Sequence, residues 1–143
     1  MKPIYLLDTN IISEPSKPAP NKNVVNKILA NIEHSCISSV VWAETLSGIK
    51  SLPKGKRKNY LFDYAINQIQ KFFVILPFDD FAASVYSDIV SRLKQNGKMP
   101  TKMDLMIAST AISNNLILVT RNTRDFKDIK QVTNLMIENW FEE

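Results

Sequence analysis

The sequence predicts an α/β protein with a mostly parallel β-sheet covered by helices on both faces. Short, largely apolar runs at residues 4–7, 36–38, 74–76 and 116–120 read as strands buried on both sides. Segments with apolar residues three or four apart separate them, and that is helical spacing. The 143 residues are 45% hydrophobic and 22% charged, which suits one domain with a core and is too apolar for a disordered chain.

Taken in order, the first strand runs into Asp8-Thr9-Asn10, a turn or helix start. Residues 14–23 hold three prolines and read as a loop. Val24, Val25, Ile28, Leu29 and Ile32 mark a helix over 24–32. After the strand at 36–38, Ser38 or Ser39 caps a helix carrying Trp42, Glu44 and Leu46. Pro53-Lys54-Gly55 breaks the chain, and one long helix is expected over about 56–72. Another short buried strand at 74–76, the third, precedes a helix at 79–95, with Phe81, Val85, Ile89 and Leu93 in line. Residues 96–100 are a loop, and a helix beginning at Asp104 leads to the strand at 116–120. The tail from residue 131 is open, with a last short strand around 135–137. Two helices between the second and third strands look like an insertion, and Lys50, Lys54, Lys56, Arg57 and Lys58 sit at their junction.

Several function classes drop out on composition. Three glycines leave no Gly-rich phosphate loop. Cys36 stands alone, so no internal disulfide forms, and no zinc spacing surrounds it; a buried thiol in a reducing compartment is expected. Asp8 interrupts the amino-terminal apolar run, and no run reaches membrane-spanning length, so a cytoplasmic protein is expected. His34 is the only histidine, which excludes a two-histidine ribonuclease and a multi-histidine zinc site within one chain. The net charge of +4 is compatible with a polyanionic partner. Trp42, Phe72, Phe73, Trp140 and Phe141 read as core.

Four acids carry the candidate chemistry. Sites of open parallel sheets lie beyond the carboxyl ends of the strands. Asp8 follows the first strand, Glu44 lies in the helix after the second, Asp104 begins the helix feeding the fourth, and Asn122 and Asp125 follow that strand. Two carboxylates about 5 Å apart repel by about 3 kcal/mol at an effective dielectric of about 20. A cluster of four therefore calls for a cation, and an all-carboxylate set suits magnesium or manganese. Such ions activate water and support in-line displacement at a phosphodiester. Each acid also has a purely structural reading: Asp8 as a cap or Asx turn, Glu44 as a solvated helix residue, Asp104 as the end of a capping box from Thr101, and Asp125 as a loop acid. Thr9 and Thr120 serve either as turn hydroxyls or as partners of a metal-bound water.

The same residues fall in segments that resemble PIN-domain ribonucleases, specifically the VapC- and FitB-like toxins. Leu6-Leu7-Asp8-Thr9-Asn10 resembles the opening motif of that family, and Ser39 to Gly48, with Glu44 as its acid, resembles the second. Asp104-Leu105-Met106-Ile107-Ala108 and Val119-Thr120-Arg121-Asn122-Thr123-Arg124-Asp125-Phe126 resemble the third and fourth. Residues 48–57 resemble the link between the paired helices of this subgroup. The resemblance implies a three-layer α/β/α domain spanning the chain and a Mg2+- or Mn2+-dependent endoribonuclease. It implies metal held by Asp8, Glu44, Asp104 and Asp125, supported by Thr9, Asn10, Thr120 and Asn122. It also implies a homodimer or higher oligomer and a cognate antitoxin that blocks the site. Some members carry an acid at the position of Asn122; here Asp125 is the nearby acid. The basic run, from Lys50 to Lys58, is a candidate RNA contact, in competition with the antitoxin or a second subunit.

Two other classes compete with this reading. A non-catalytic PIN-like subunit acting through an antitoxin and DNA would be favoured by loss of an acid, and none is clearly missing. A receiver-like signalling domain needs an acidic pair after the first strand, and Asp8 has no acidic neighbour.

Overall fold

The computed structural model describes residues 2–142. Within them, β1 (Tyr5–Leu7), β2 (Ser35–Ser38), β3 (Val74–Leu76), β4 (Ile117–Val119) and β5 (Met136–Glu138) form one sheet in the order β3-β2-β1-β4-β5. Every neighbouring pair is parallel. The helices are α1 (Thr9–Ile12), α2 (Lys22–Ala30), α3 (Ser39–Lys50), α4 (Lys56–Tyr64), α5 (Asp80–Leu93), α6 (Lys102–Ser113) and α7 (Lys127–Val132). Winding proceeds outward from β1 to β3, then restarts at β4 on the other side of β1. Crossovers between parallel strands are right-handed as a rule, so winding that reverses at β1 covers both faces of the sheet with helices and gives three layers.

The three inner strands explain their own composition. Leu6, Leu7, Cys36, Ile37, Leu118 and Val119 have no solvent exposure, as residues covered on both faces must. Burial pushes the Cys36 thiol up to about 12, so it is inert packing; its Sγ donates to the Tyr5 carbonyl. The outer strands differ. β3 is expected to be buried, yet Val74 is 61% exposed, because β3 is an edge strand with a neighbour only at β2. The open tail resolves as β5, which pairs with β4 from Met136 onward, one residue later than expected.

Other elements depart from the periodicity. The expected loop at 14–23 contains a 3-10 turn at Glu14–Ser16, with Pro15 inside its first turn, and α2 already begins at Lys22 under an Asn21 cap. The helix expected over 56–72 runs that whole span, but its middle stretch, Ala65–Gln70, is π-helical rather than α-helical. There the Tyr64 hydroxyl donates to the Ile12 carbonyl (2.7 Å), and Ala65, Ile69 and Phe73 turn inward. Phe72, expected as core, is left half exposed. Trp42 is only partly buried against the core, and His34 ends a 3-10 turn with its ring near the Lys2 carbonyl. The break between α3 and α4 is as expected, with Gly55 at φ +156°, a region glycine favours. Among the described residues no helix is long and apolar enough to cross a membrane.

Trp140 closes the β5 side of the core. It is 1% exposed, meets the Tyr5 ring edge-to-face at 5.2 Å, and donates its indole N–H to Glu138 (3.0 Å). Trp140→Ala is expected to cost about 3–5 kcal/mol, the usual range for deleting a buried tryptophan. The urea midpoint should fall accordingly at unchanged slope; a midpoint equal to the wild type would show that the carboxyl-terminal strand does not stabilise the core.

Candidate functional site

β1 and β4 lie side by side where the winding reverses, the position at which open α/β sheets leave a crevice. β1 delivers Asp8 there and β4 delivers Thr120. The Asp8 N–H continues the ladder to the Val119 carbonyl (2.9 Å), so its backbone is fixed by the sheet. Its side chain caps α1, with Oδ1 accepting from the Thr9 N–H (2.8 Å). Oδ2 accepts from the Thr120 hydroxyl (2.8 Å). Thr120 in turn accepts from the Asn122 N–H (3.0 Å) and the Asn10 amide (3.4 Å), while Asn10 accepts the Arg121 N–H (3.0 Å). Thr9, Asn10, Thr120 and Asn122 thus form one frame around a single carboxylate, Asn122 through its backbone.

The other acids arrive from three further elements. Glu44 lies on the exposed side of α3, where its Oε1 accepts from the Thr9 hydroxyl. Asp104 is half buried in the first turn of α6. That helix starts at Lys102, two residues before the sequence reading placed it, because Thr101 is the cap and its hydroxyl accepts the Asp104 N–H (3.2 Å). Asp125 is exposed on a 3-10 turn, its N–H bonded to the Asn122 carbonyl (3.0 Å). Burial raises the Asp8 carboxyl above its ordinary value; the Thr120 and Thr9 hydrogen bonds oppose this, and the charges of Glu44 and Asp125 add to it. Burial likewise raises Asp104, opposed by Thr101 and reinforced by Asp8, Asp125 and Glu44. Asp8 and Asp104 therefore each lie within electrostatic reach of the other acids. Among the described residues no three are gathered tightly enough to hold one ion as they stand, since Glu44 is turned to Thr9 and Asp125 lies on an outer turn.

Residues 5–132 match the family model of the PIN domain. This chain belongs to the PIN domain family. Over 86% of its length and 91% of the relative's, it is 40% identical to the toxin FitB of Neisseria gonorrhoeae. It is also similar to the ribonuclease VapC2 of Rickettsia felis, at 33% identity over 96% of this chain and 98% of that one. The crystal structure of FitAcB from N. gonorrhoeae superposes with a TM-score of 0.87 at 35% identity, covering 98% of this chain and 100% of that chain.

In this PIN domain protein the basic run is spread over the end of α3, the link and the start of α4. Lys50 ends α3, Lys54 lies in the link, and Lys56, Arg57 and Lys58 open α4. Lys58 donates to the Lys50 carbonyl (3.1 Å), and only Arg57 of the five lines the cleft that also holds Thr9 and Glu44. Glu14 is a buried acid that lies outside the sequence motifs. Burial would raise this carboxyl, but the Asn21 N–H (2.8 Å), Lys17 (3.0 Å) and the charge of Arg121 hold it below the ordinary range. Only the spacing of Glu14 and Lys17 by one helical turn signals it in the sequence.

The raised acids carry a pH signature. A carboxyl whose folded value exceeds its unfolded value binds protons more tightly when folded, so stability is fully present below the unfolded value and lost as pH rises through the folded one. For Asp8 and Asp104 that window opens just above 3.8 and extends upward. Asp8→Asn should therefore melt at a higher temperature than the wild type at neutral pH in EDTA, and the gap should close as pH falls toward 4. Identical melting curves across that range would show that Asp8 carries no repulsion.

Proposed function

We propose that this chain is a single-domain, divalent-metal-dependent endoribonuclease that hydrolyses RNA phosphodiester bonds in the cytoplasm, as the toxin of a toxin–antitoxin pair. The observation that carries the reading is Asp8, a buried carboxylate framed at the switch point with three further acids in electrostatic reach. The donor set fits a hard cation: every candidate ligand is a carboxylate oxygen, and like charges that raise one another's proton affinity are relieved by a divalent ion. Asp8, Asp104, Glu44 and Asp125 would hold Mg2+ or Mn2+, which when bound activates water and neutralises charge developing on the phosphate oxygens.

The chain's own residues define the rest. Thr120, Thr9 and Asn10 keep the Asp8 oxygens aimed, so the charged edge is set before any ligand arrives. Glu44 can exchange its Thr9 hydrogen bond for a cation by side-chain rotation on a helix surface. Lys56, Arg57 and Lys58 put positive charge at the amino-terminal end of α4, where the helix dipole disfavours it. That unfavourable placement supports a role in attracting a polyanion, with Lys50 and Lys54 beside it. The names of the relatives, a ribonuclease and a toxin, support the activity class and a neutralising antitoxin partner; a homodimer or higher oligomer accords with the resemblance of the motifs.

Asp104→Asn is expected to lower RNA cleavage by more than the 10–100-fold typical of losing an outer-shell partner, while circular dichroism stays unchanged. Full cleavage by that variant at saturating magnesium would end this reading. Replacing Lys54, Lys56, Arg57 and Lys58 together with alanine should raise KM and flatten its dependence on salt, with kcat nearly unchanged. An unaltered salt slope would remove the run from the phosphate path.

A further inference from the structure

A cleft of about 240 Å³ opens directly beside the acids, between α3, α4 and the turn after α1. Thr9 and Glu44 form one end of it, so it is continuous with the frame around Asp8. Its floor is apolar, made by Ile49, Leu61 and Ile69. Lys17 and Arg57 stand at the rim. Two details mark it as more than a gap in packing. The Thr45 hydroxyl on its wall is buried and has no hydrogen-bond partner, and such groups in folded proteins ordinarily have one. Gly48 sits in the middle of α3, where glycine disfavours the helix, and a Cβ there would meet nothing within 4 Å.

We propose that this cleft is the subsite for the nucleoside adjoining the scissile phosphate of a single-stranded RNA, its base on the apolar floor and its flanking phosphate on Arg57. The proposal rests on the RNA reading above and adds what the chain selects. A phosphate at the acids places the next nucleoside within reach of a cleft that shares Thr9 and Glu44 with them. The volume lies below the roughly 300–1,000 Å³ of pockets for drug-sized ligands, which suits one ring system rather than a folded segment. Single-stranded RNA is read by splaying out a base, stacking its face and bonding its edge, and the floor and the Thr45 hydroxyl offer those two contacts. Lys17 is paired with Glu14, whereas Arg57 has no ion pair among the described residues and is free to meet a phosphate.

The test compares a short single-stranded RNA with a set carrying one abasic nucleotide at each position around the mapped cut. For the wild type, removing the adjoining base should raise KM about tenfold with kcat nearly unchanged, the scale of one stacked base held equally in ground and transition states. Gly48→Leu projects into the cleft from a helix that leucine favours. It should raise KM for intact RNA to the abasic value and leave abasic RNA cut as before, with no loss of melting temperature. Thr45→Val keeps the volume and removes the hydroxyl; it should alter the preference among the four bases. Equal KM for intact and abasic RNA in the wild type overturns the proposal. So does a Gly48→Leu protein that weakens antitoxin binding while handling RNA normally, which would make the cleft a protein-docking site. Fluorescence anisotropy of the same RNAs on Asp104→Asn protein reads the cleft without chemistry. If the wild type cuts no RNA yet binding still depends on one base and is lost in Gly48→Leu with Asp104→Asn, the nuclease reading fails and the cleft stands.

Discussion

A carboxylate at the end of a strand covered on both faces loses its hydration, and a buried charge persists only where hydrogen bonds or counter-charge replace the water. Asp8 is in that position, and the structure around it is arranged accordingly. The α1 amino terminus supplies the Thr9 N–H, the end of β4 supplies the Thr120 hydroxyl, and Asn10 ties the two together. Parallel pairing of β1 with β4, from Tyr5 with Ile117 to Leu7 with Val119, sets Asp8 and Thr120 side by side. A slip of one residue would turn Asp8 to the other face of the sheet and leave its charge without these donors.

Satisfying Asp8 does not satisfy the site. The frame orients the carboxylate but adds no positive charge, so Glu44, Asp104 and Asp125 remain mutually repulsive neighbours. Stability is given up twice in this region: in uncompensated acids at the switch point, and in cations at the start of α4 where the dipole opposes them. A protein selected only for stability would retain neither. Both become favourable when a divalent ion meets the acids and a phosphate chain meets the cations, which is the physical content of the nuclease reading.

The acid cluster and the cleft beside it share Thr9 and Glu44 but are otherwise built by different elements. The acids come from the end of β1, the middle of α3, the start of α6 and the 3-10 turn after β4. The cleft is built by α3 and α4, the pair inserted between β2 and β3, and by the π-helix that brings Ile69 inward. A π-helix tolerated in this second layer shapes a wall without disturbing the frame at Asp8, so α4 can vary while the acid cluster stays as it is.

The acids and the alternation of strands and helices were legible in the sequence because they rest on local rules. An apolar run broken by Asp8, a serine ahead of a helical stretch and Thr101 three residues before Asp104 are short-range patterns, and the motifs that resemble PIN domains are contiguous. Other features were decided at long range. That Val74 faces solvent follows from β3 having one neighbour, which an apolar run does not reveal. Phe72 points outward just after the π-helical stretch, and the Tyr64 hydroxyl just before it bonds to Ile12, 52 residues away in sequence. The hydrogen bond from Thr120 to Asp8 spans 112 residues, and Arg121 joins the local Glu14–Lys17 pair only through the fold. Periodicity records which faces of a segment are buried, so the sequence determined the elements and named the acids. Which segments meet is a property of the packed sheet, so only the tertiary structure decided the frame around Asp8 and the cleft beside Glu44.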